Sequence, residues 1–292
     1  MGKKSGGDVG IVSQNCADFA TPNVVLKKFP DGENYCRLEN AEEIRGNNVR
    51  ILHRLYPNPD DSIIALMQII YGVKKSGAEN ISLIIPYLPY ARADKVWLGG
   101  EVESARMLVK MLVCGGAKKM FVWDCHFLKK EGEFEFEGMK IENKCVGQKL
   151  VQYLKKTSKD AVVVGPDMGA KHMAGKCGKV MKKRRGEYAE EKSAFRPVVE
   201  MEAYFDVKEK EVILIDDMIA GGGTMVNATK KCFEMGAKKV HCAATHGLFL
   251  GEAIGKIKGA GVGKIVVTDS ILGETERMSL KEEIVGLLGG KK

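Results

Sequence analysis

Short runs of β-branched and other apolar residues recur along the chain, separated by stretches in which apolar residues have helical spacing. Eight runs predict strands, at residues 10–12, 49–53, 81–85, 120–123, 161–164, 212–215, 240–244 and 265–268. Between them, Ser62–Val73 and Glu103–Val113 have the helical pattern, and each is soon followed by Gly-Ala or Gly-Gly-Ala, a common helix end. Strands that alternate with helices predict parallel sheets built from right-handed β-α-β units.

An internal repeat accompanies this pattern. Gly-Ala-Lys-Lys at residues 116–119 leads to His126, and the same tetrapeptide at residues 236–239 leads to His246, an offset of 120 residues in both cases. A helical stretch precedes each copy and an apolar strand follows it. The tetrapeptide alone is a common helix-to-strand turn, but the matching histidine and flanking elements favour duplication of an α/β domain.

The predicted boundary between the two copies follows an alternating charged stretch, Glu133–Glu137, which we interpret as an exposed hairpin strand. We place the boundary within residues 138–144. The predicted domains are residues 1–140 and residues 141–292, each a mainly parallel sheet flanked by helices. It stays open whether the last helix packs back on the N-terminal domain.

Length and composition narrow the class of protein. With 292 residues and 45% apolar content, the chain can bury a substantial core in one large domain or two ordinary ones. No apolar run approaches the ~20 residues that span a bilayer, and no apolar signal segment follows the basic N-terminus, so we expect neither a membrane partner nor export. The eight cysteines have no Cys-x-x-Cys spacing, which favours a reduced, cytoplasmic setting.

The net charge of +8 permits two kinds of partner, nucleic acid and phosphorylated small molecules. The densest basic cluster, Lys179–Arg185, is short and contains no interleaved aromatic residues. The sequence has no added helix-turn-helix segment either. We therefore expect small phosphorylated ligands and no nucleic acid.

The strongest functional pattern follows the predicted strand Val212–Ile215. Two carboxylates, Asp216 and Asp217, come next, and a triple-glycine turn then leads into a helix near Thr224. Glycine permits close backbone approach and a helix N-terminus favours an anion, so this turn predicts a phosphate site. The carboxyl end of a strand is also where open α/β sheets bind ligands. A bare glycine triplet would be only a connection with a capping Thr.

This segment resembles the phosphoribosyl-diphosphate loop of type I phosphoribosyltransferases and, more closely, that of ribose-phosphate diphosphokinases. The resemblance implies two duplicated phosphoribosyltransferase-like domains, and it implies that Asp216 and Asp217 hold the ribose hydroxyls. It assigns the 5-phosphate to the turn residues Ala220, Gly221, Gly222, Gly223 and Thr224. The family usually has a polar residue at position 220 and Thr at position 221, so this turn lacks one hydroxyl donor.

Two segments of the N-terminal half resemble the nucleotide site of the diphosphokinases. Residues 29–33 resemble a segment that reaches across a subunit interface to the adenine of ATP, which implies nucleotide contacts by Phe29, Asp31 and Glu33. Residues 90–94 resemble the Tyr-Ala-Arg-Gln-Asp motif and imply contacts by Arg92 and Asp94, with Ala in place of the Gln. Taken alone, the first is a Pro-Asp-Gly turn between strands and the second a surface loop.

Two residues after predicted strands are implied to act near magnesium. Asp124-Cys125-His126 resembles the family's Asp-Leu-His motif, whose His contacts the magnesium-bound triphosphate. Asp167 matches the Asp of its Pro-Asp-x-Gly turn, which implies a place near the ribose 5-phosphate and a second magnesium. The resemblance therefore implies Mg²⁺ as cofactor, held directly or through water by His126 and Asp167. A lone His is more often structural and such a turn is ordinary, but the position at a strand end favours function.

The basic residues 181–186 occupy the place of the family's flexible catalytic loop. Lys183 and Arg185 match the Lys and Arg that close over the phosphates, and the neighbouring Lys182 and Arg184 leave the register open by one residue. A solvated basic turn is the alternative that composition alone supports. We interpret Lys183 and Arg185 as catalytic because a phosphate-handling site needs mobile cations.

The resemblance implies that a homo-oligomer transfers the β,γ-diphosphate of ATP to the 1-hydroxyl of ribose 5-phosphate, giving 5-phosphoribosyl 1-diphosphate and AMP. Two alternatives stay open. A phosphoribosyltransferase would share the loop at Asp216, but it would not require the matched nucleotide segments. The changes at Ala93, Ala220 and Gly221 keep open a catalytically silent regulatory homologue, and the retained residues argue against it: Lys183, Arg185, His126 and Asp167.

Overall fold

The computed structural model describes residues 7–185 and 198–289, which divide into two compact units. Unit 1 comprises residues 7–144 and 279–289, and unit 2 comprises the described part of Cys145–Met278. Residue 140, at which we placed the end of the first domain, lies inside a strand of unit 1. Within these described ranges, no helix is long and apolar enough to cross a membrane.

The elements follow one another in the expected α/β alternation. Those of residues 7–144 are β1 (Asp8–Val12), β2 (Val24–Lys28), β3 (Asn34–Leu38), β4 (Asn48–Leu52), α1 (Pro59–Lys75), β5 (Asn80–Ile84), α2 (Ser104–Gly115), β6 (Lys119–Trp123), β7 (Gly132–Phe136) and β8 (Met139–Lys144). Those of unit 2 are α3 (Gly147–Lys155), β9 (Val162–Gly165), α4 (Lys171–Ala174), β10 (Lys179–Val180), β11 (Lys182–Arg185), β12 (Val198–Glu202), β13 (Glu211–Ile219), α5 (Gly223–Glu234), β14 (Lys239–Gly247), α6 (Ala253–Gly259), β15 (Val262–Thr268) and β16 (Glu276–Met278). Helix α7 (Lys281–Leu288) returns to unit 1.

The main sheet of unit 1 has six strands in the order β1-β4-β5-β6-β8-β7, parallel except for the hairpin partner β7. This hairpin confirms the exposed strand predicted from the charged alternation. Apolar residues of α1 and α2 pack against alternate residues of β4, β5 and β6. Helix α7 contacts β1 and β4, and Trp123 Nε1 donates a hydrogen bond to Glu283 Oε2 at 3.0 Å.

Unit 2 contains a fully parallel six-stranded sheet in the order β10-β9-β13-β14-β15-β16. Helices α5 and α6 cover the face that includes Val212 and Leu214. Helices α3 and α4 cover the opposite face, which includes Ile213 and Ile215. This alternation along β13 is the period of two that an extended strand imposes. The predicted fold, mainly parallel sheets flanked by helices, is confirmed.

The helix-to-strand turn of the repeat has the same hydrogen bonds in both copies. The N–H of Ala117 donates to the carbonyl of Leu112 at 3.1 Å, and the N–H of Ala237 donates to that of Cys232 at 3.0 Å. The glycine that opens each turn has positive φ, 120° in the first copy and 83° in the second. Each turn therefore ends its helix by the same backbone conformation, which glycine adopts without steric cost.

Strand β11 differs from the flexible loop that the resemblance suggested for residues 181–186. Residues 182–185 pair antiparallel with β12, with Lys183 opposite Met201. The partner strand β12 lies further along the chain, and the basic residues themselves do not predict this pairing. Gly186 and the side chains of Lys183 and Arg185 lie outside the described residues.

The cysteines are free thiols in the structure. Burial raises the pKa of Cys16, Cys232 and Cys242 to about 12. These three thiols therefore stay protonated at neutral pH and pack as small hydrophobic groups.

Candidate active site

The strand order of unit 2 creates a crevice at the carboxyl ends of β9 and β13. From β9 the chain proceeds to β10 on one side, and it later reaches β13 on the other side of β9. Such a topological switch point is where open α/β sheets bind ligands. Asp167 follows β9, and Asp216 and Asp217 lie near the end of β13. The structure thus brings three of the predicted ligand residues to two neighbouring strand ends.

Asp167 is the N-cap of a short 3₁₀ turn, Met168–Ala170. Its Oδ1 accepts a hydrogen bond from the N–H of Ala170 at 3.2 Å. The Pro-Asp-x-Gly sequence therefore forms the turn that its composition predicts, and the cap fixes the carboxylate at the strand end.

Strand β13 continues through the acidic pair and does not end before it. Pairing with β14 extends to Ile219, with Asp216 opposite Ala244. Asp216 is half-buried and Asp217 is only 4% exposed. Each Oδ1 accepts the next backbone N–H, at 2.9 Å for Asp216 and 3.1 Å for Asp217.

The three glycines of the turn have different structural roles. Gly222 is the N-cap of α5 with φ 77°, and a Cβ at this position would lie 3.2 Å from the carbonyl oxygen of Ala253. Only glycine meets both conditions without strain. The φ of Gly221 lies outside the left-handed region, and a Cβ there would meet no atom within 4 Å. Gly221 is therefore not required for its backbone conformation.

The N-terminus of α5 has the features of an anion site. The helix begins at Gly223, and its first turn contains no acidic residue. Its first N–H groups have no carbonyl partner within the helix, and the helix dipole adds about half a positive charge at this end. An anion in the turn, with Thr224 beside it, would accept these N–H groups.

A second segment, not predicted from the sequence, supports the turn from the side. The N–H of Leu248 donates to the carbonyl of Ile219 at 2.9 Å, and the N–H of Leu250 donates to that of Ala220 at 3.0 Å. Just before this segment, the buried His246 contacts Ser270 Oγ through Nδ1 at 2.9 Å. In the sequence, only the repeat that matches His246 with His126 had indicated this segment.

In unit 1, Arg92 and Asp94 lie in the connection that leaves the carboxyl end of β5, residues 85–103. Arg92 is exposed and Asp94 is half-buried. The N–H of Ala93 donates to the carbonyl of Tyr90 at 2.8 Å, and this hydrogen bond holds residues 90–93 in a turn. Both residues therefore follow the carboxyl edge of the unit 1 sheet.

His126 lies at the same edge, after the neighbouring strand β6. Asp124, just after β6, is buried with φ 36°, a left-handed conformation that Asp tolerates better than most residues. The N–H of Cys125 donates to Asn143 Oδ1 at 2.9 Å. These constraints fix the turn that carries the half-buried His126.

Phe29, Asp31 and Glu33 belong to the turn between β2 and β3, a separate two-stranded hairpin. The N–H of Glu33 donates to Asp31 Oδ1 at 3.1 Å, and Phe29 packs edge-on against Tyr35 with ring centroids 5.9 Å apart. Phe29 remains exposed. The predicted Pro-Asp-Gly turn between strands is confirmed, and its side chains are presented outward rather than at the sheet edge.

The described ranges contain no group of three or more His, Cys, Asp or Glu residues arranged to hold a metal ion. This fits a cation that is shared with a substrate, because Mg²⁺ commonly binds one or two carboxylates together with phosphates and waters. Asp167 offers such a carboxylate in the crevice of unit 2.

Comparisons with known proteins match the chain on both units. Residues 13–116 match the family described as the N-terminal domain of ribose phosphate pyrophosphokinase, and residues 176–284 match the phosphoribosyl synthetase-associated domain. The ribose-phosphate pyrophosphokinase of Pyrococcus furiosus is 30% identical over 266 residues, covering 91% of this chain and 92% of that protein. The chain belongs to the ribose-phosphate pyrophosphokinase family.

Other members of the family agree over similar lengths. The Pyrococcus abyssi ribose-phosphate pyrophosphokinase is 31% identical over 265 residues, covering 91% of this chain and 90% of that protein. The crystal structure of phosphoribosylpyrophosphate synthetase from Mycobacterium smegmatis superposes with a TM-score of 0.75 at 25% identity, covering 97% of each chain. The ribose-phosphate pyrophosphokinase family carries the fold that the sequence predicted for both halves.

Proposed function

We propose that the protein transfers the β,γ-diphosphate of ATP to ribose 5-phosphate. The oxygen of the sugar's 1-hydroxyl attacks the β-phosphorus, and the bond from that phosphorus to the α,β-bridging oxygen breaks. AMP leaves with the bridging oxygen, and the hydroxyl proton passes to solvent. The products are 5-phosphoribosyl 1-diphosphate and AMP.

The observation that carries this proposal is the coincidence of the acidic pair, the glycine turn and the N-terminus of α5 at the switch point of unit 2. The turn offers backbone N–H groups to a phosphate, and the neighbouring carboxylates offer acceptors to sugar hydroxyls. A sugar phosphate requires both chemistries at one place. We therefore assign the ribose to Asp216 and Asp217, and the 5-phosphate to the turn residues 220–224.

The remaining assignments follow family membership and stay proposals. Arg92, Asp94 and His126 bind the nucleotide, and Phe29, Asp31 and Glu33 contribute to the adenine site. Lys183 and Arg185 neutralise charge that develops on the transferred phosphates. In-line diphosphoryl transfer needs positioning and charge neutralisation more than covalent chemistry, which is what fixed strand ends and cations supply.

We further propose Mg²⁺ as the cofactor, with Asp167 in unit 2 and His126 in unit 1 as the residues that contact Mg²⁺ directly or through water. A bound Mg²⁺ supplies positive charge to the phosphate oxygens. Asp167 suits the ion because its carboxylate is capped at the strand end and offers an oxygen donor. His126 would orient the phosphates by hydrogen bonding.

The test is to incubate the purified protein with ATP, ribose 5-phosphate and Mg²⁺ and to quantify AMP and 5-phosphoribosyl 1-diphosphate. We expect equal amounts of the two products and no AMP when the sugar phosphate is omitted. An Asp217→Asn variant should lose the reaction and still bind ATP. Nucleotide binding without AMP formation in the parent protein would instead identify a silent homologue.

A homo-oligomer is proposed from the resemblance of residues 29–33 to a segment that serves a neighbouring subunit. The exposed position of Phe29 on an outward hairpin supports this role. Mixing Asp31→Ala subunits with Asp217→Ala subunits should restore part of the activity, since a mixed interface can contain one intact site. Absence of recovery despite demonstrated subunit exchange would show that each chain completes its own site.

A further inference from the structure

The connection between β5 and α2 exposes an unusual concentration of apolar side chains. Four large ones lie between residues 96 and 102, each more than half exposed: Val96, Trp97, Leu98 and Val102. Trp97, at 68% exposure, is the largest of them. Exposed apolar clusters of this kind mark sites that a ligand or partner covers.

Hydrogen bonds hold the tip of this connection in one conformation. A single carboxylate oxygen of Glu101 accepts the N–H of Trp97 at 2.7 Å and that of Leu98 at 3.0 Å. At the base, the N–H of Ala105 donates to the carbonyl of Ala93 at 3.2 Å. Residues 93–105 thus form a closed loop of the Ω type, and Trp97 is displayed by a constrained backbone.

The chemistry of the loop matches a nucleotide. Two exposed cations, Arg92 just before the loop and Lys95 within it, precede the indole of Trp97 at the tip. Cations attract the phosphates, and an exposed aromatic face binds a base by stacking. Proteins that bind single-stranded nucleic acid without sequence preference use the same combination. The loop also leaves the carboxyl end of a central parallel strand, where ligands bind.

We propose that Trp97 stacks on the nucleobase of the nucleoside triphosphate, a role that rests on the proposed function. Indole stacks on any base and offers the base edge no specific donor or acceptor pattern, so Trp97 contributes affinity without selecting the base. The protein therefore gains similar affinity from Trp97 for ATP and for GTP.

The chain provides its own spectroscopic test, because it contains only two tryptophans. Trp123 is 1% exposed and hydrogen-bonded to Glu283, so a nucleotide in solution cannot reach it. ATP added without ribose 5-phosphate should quench the tryptophan emission saturably, and GTP should do the same. Inorganic tripolyphosphate, which has no base, should bind without this quenching.

Trp97→Leu keeps apolar bulk and removes the stacking face. We expect its quenching to vanish and its Kd for ATP, measured by equilibrium dialysis, to rise about tenfold. Trp97→Tyr should recover most of the affinity. Leu98→Ala changes an exposed apolar neighbour on the same tip, so it is the matched control and should bind ATP like the parent.

An unchanged Kd in Trp97→Leu would overturn the proposal, and a simultaneous change in oligomeric state would assign the patch to a second copy of the chain. Such an outcome leaves the proposed reaction intact if the parent still forms AMP. A parent protein that binds no nucleotide by dialysis would overturn both proposals together.

Discussion

Units 1 and 2 share a helix-to-strand repeat but differ in how a central strand connects to the following helix. In unit 2, β13 reaches α5 through residues 220–222, and the short connection exposes backbone N–H groups at a helix N-terminus. In unit 1, β5 reaches α2 only after residues 85–103, and the long connection displays side chains. We therefore propose a backbone site for a phosphate in unit 2 and a side-chain site in unit 1.

The main sheets of the two units also differ in strand order. The parallel strands of unit 1 follow one another across the sheet from β1 to β8, without a reversal. Unit 2 reverses at β9, so two strand ends enclose a crevice. Of the two six-stranded sheets, that of unit 2 therefore has the switch point at which open α/β sheets bind ligands.

The largest expected effect tests whether the chemistry belongs to unit 2. Lys183→Ala should lower kcat about 10²- to 10³-fold with small changes in either KM, since a cation that acts on the transition state contributes mainly to turnover. Steady-state kinetics measures both constants. Lys182→Ala is the comparison variant for the register, and its ammonium lies 5.7 Å from the Tyr204 ring centre. If Lys183→Ala keeps most of its turnover, the register shifts to Lys182 or Arg184.

A second prediction concerns the pH dependence of unit 1. His53 Nε2 donates to the carbonyl of Ser62 at 3.0 Å, and Nδ1 lies 2.7 Å from Ser13 Oγ. Burial lowers the pKa of His53 to about 4. Between about pH 6.5 and 4 the unfolded chain binds the proton more readily, so the free energy of unfolding should fall by about 3 kcal/mol as the pH decreases through this window.

Urea unfolding across that pH range measures this slope. His53→Gln should remove a large part of it, whereas the stability above pH 6.5 carries no contribution from this proton. His241→Gln is the matched variant in unit 2, because burial lowers the pKa of His241 as well. A slope that His53→Gln leaves unchanged would assign the acid sensitivity to other groups.

The third prediction tests the backbone site directly. Gly222→Ala forces a left-handed alanine and a Cβ 3.2 Å from the carbonyl oxygen of Ala253. The turn has to shift, and a shift of about 1 Å in a positioning element costs about a hundredfold in kcat/KM. We expect this loss for ribose 5-phosphate, with ATP binding by unit 1 unaffected. Gly46→Ala, before β4, also places an alanine at positive φ, but its Cβ meets no atom within 4 Å and the residue belongs to no proposed site, so it should leave both substrates unaffected.

The smallest effect is a gain. Gly221→Thr introduces a hydroxyl at a position with ordinary φ and no atom near the new Cβ. A hydrogen bond to a charged group contributes ~1.5 to 3 kcal/mol, so the KM for ribose 5-phosphate should fall by about tenfold while that for ATP is unchanged. Gly221→Ala, which adds no donor, should behave like the parent. A KM that does not fall in a stable Thr variant would show that the phosphate binds beyond reach of this residue.

The local pattern of the sequence determined the elements and the duplication. Runs of β-branched residues predicted the parallel strands, and Gly-Ala-Lys-Lys predicted the end of α2, because both signals depend on neighbours within a few positions. The glycine turn after Asp217 was evident for the same reason. The roles assigned to Asp216, Lys183 and Arg92 came from family resemblance and stay predictions.

Only the tertiary structure decided what depends on distant partners. Pairing with β14 carried β13 beyond Ile215, and pairing with β12 turned a basic run into a strand. Contact with Ala253 made Gly222 indispensable and left Gly221 replaceable. Exposure of Trp97 followed from a hydrogen-bonded loop, although an apolar residue is ordinarily expected inside. Strand order, burial and close approach each require two segments remote in sequence to meet, and no short stretch of residues encodes that meeting by itself.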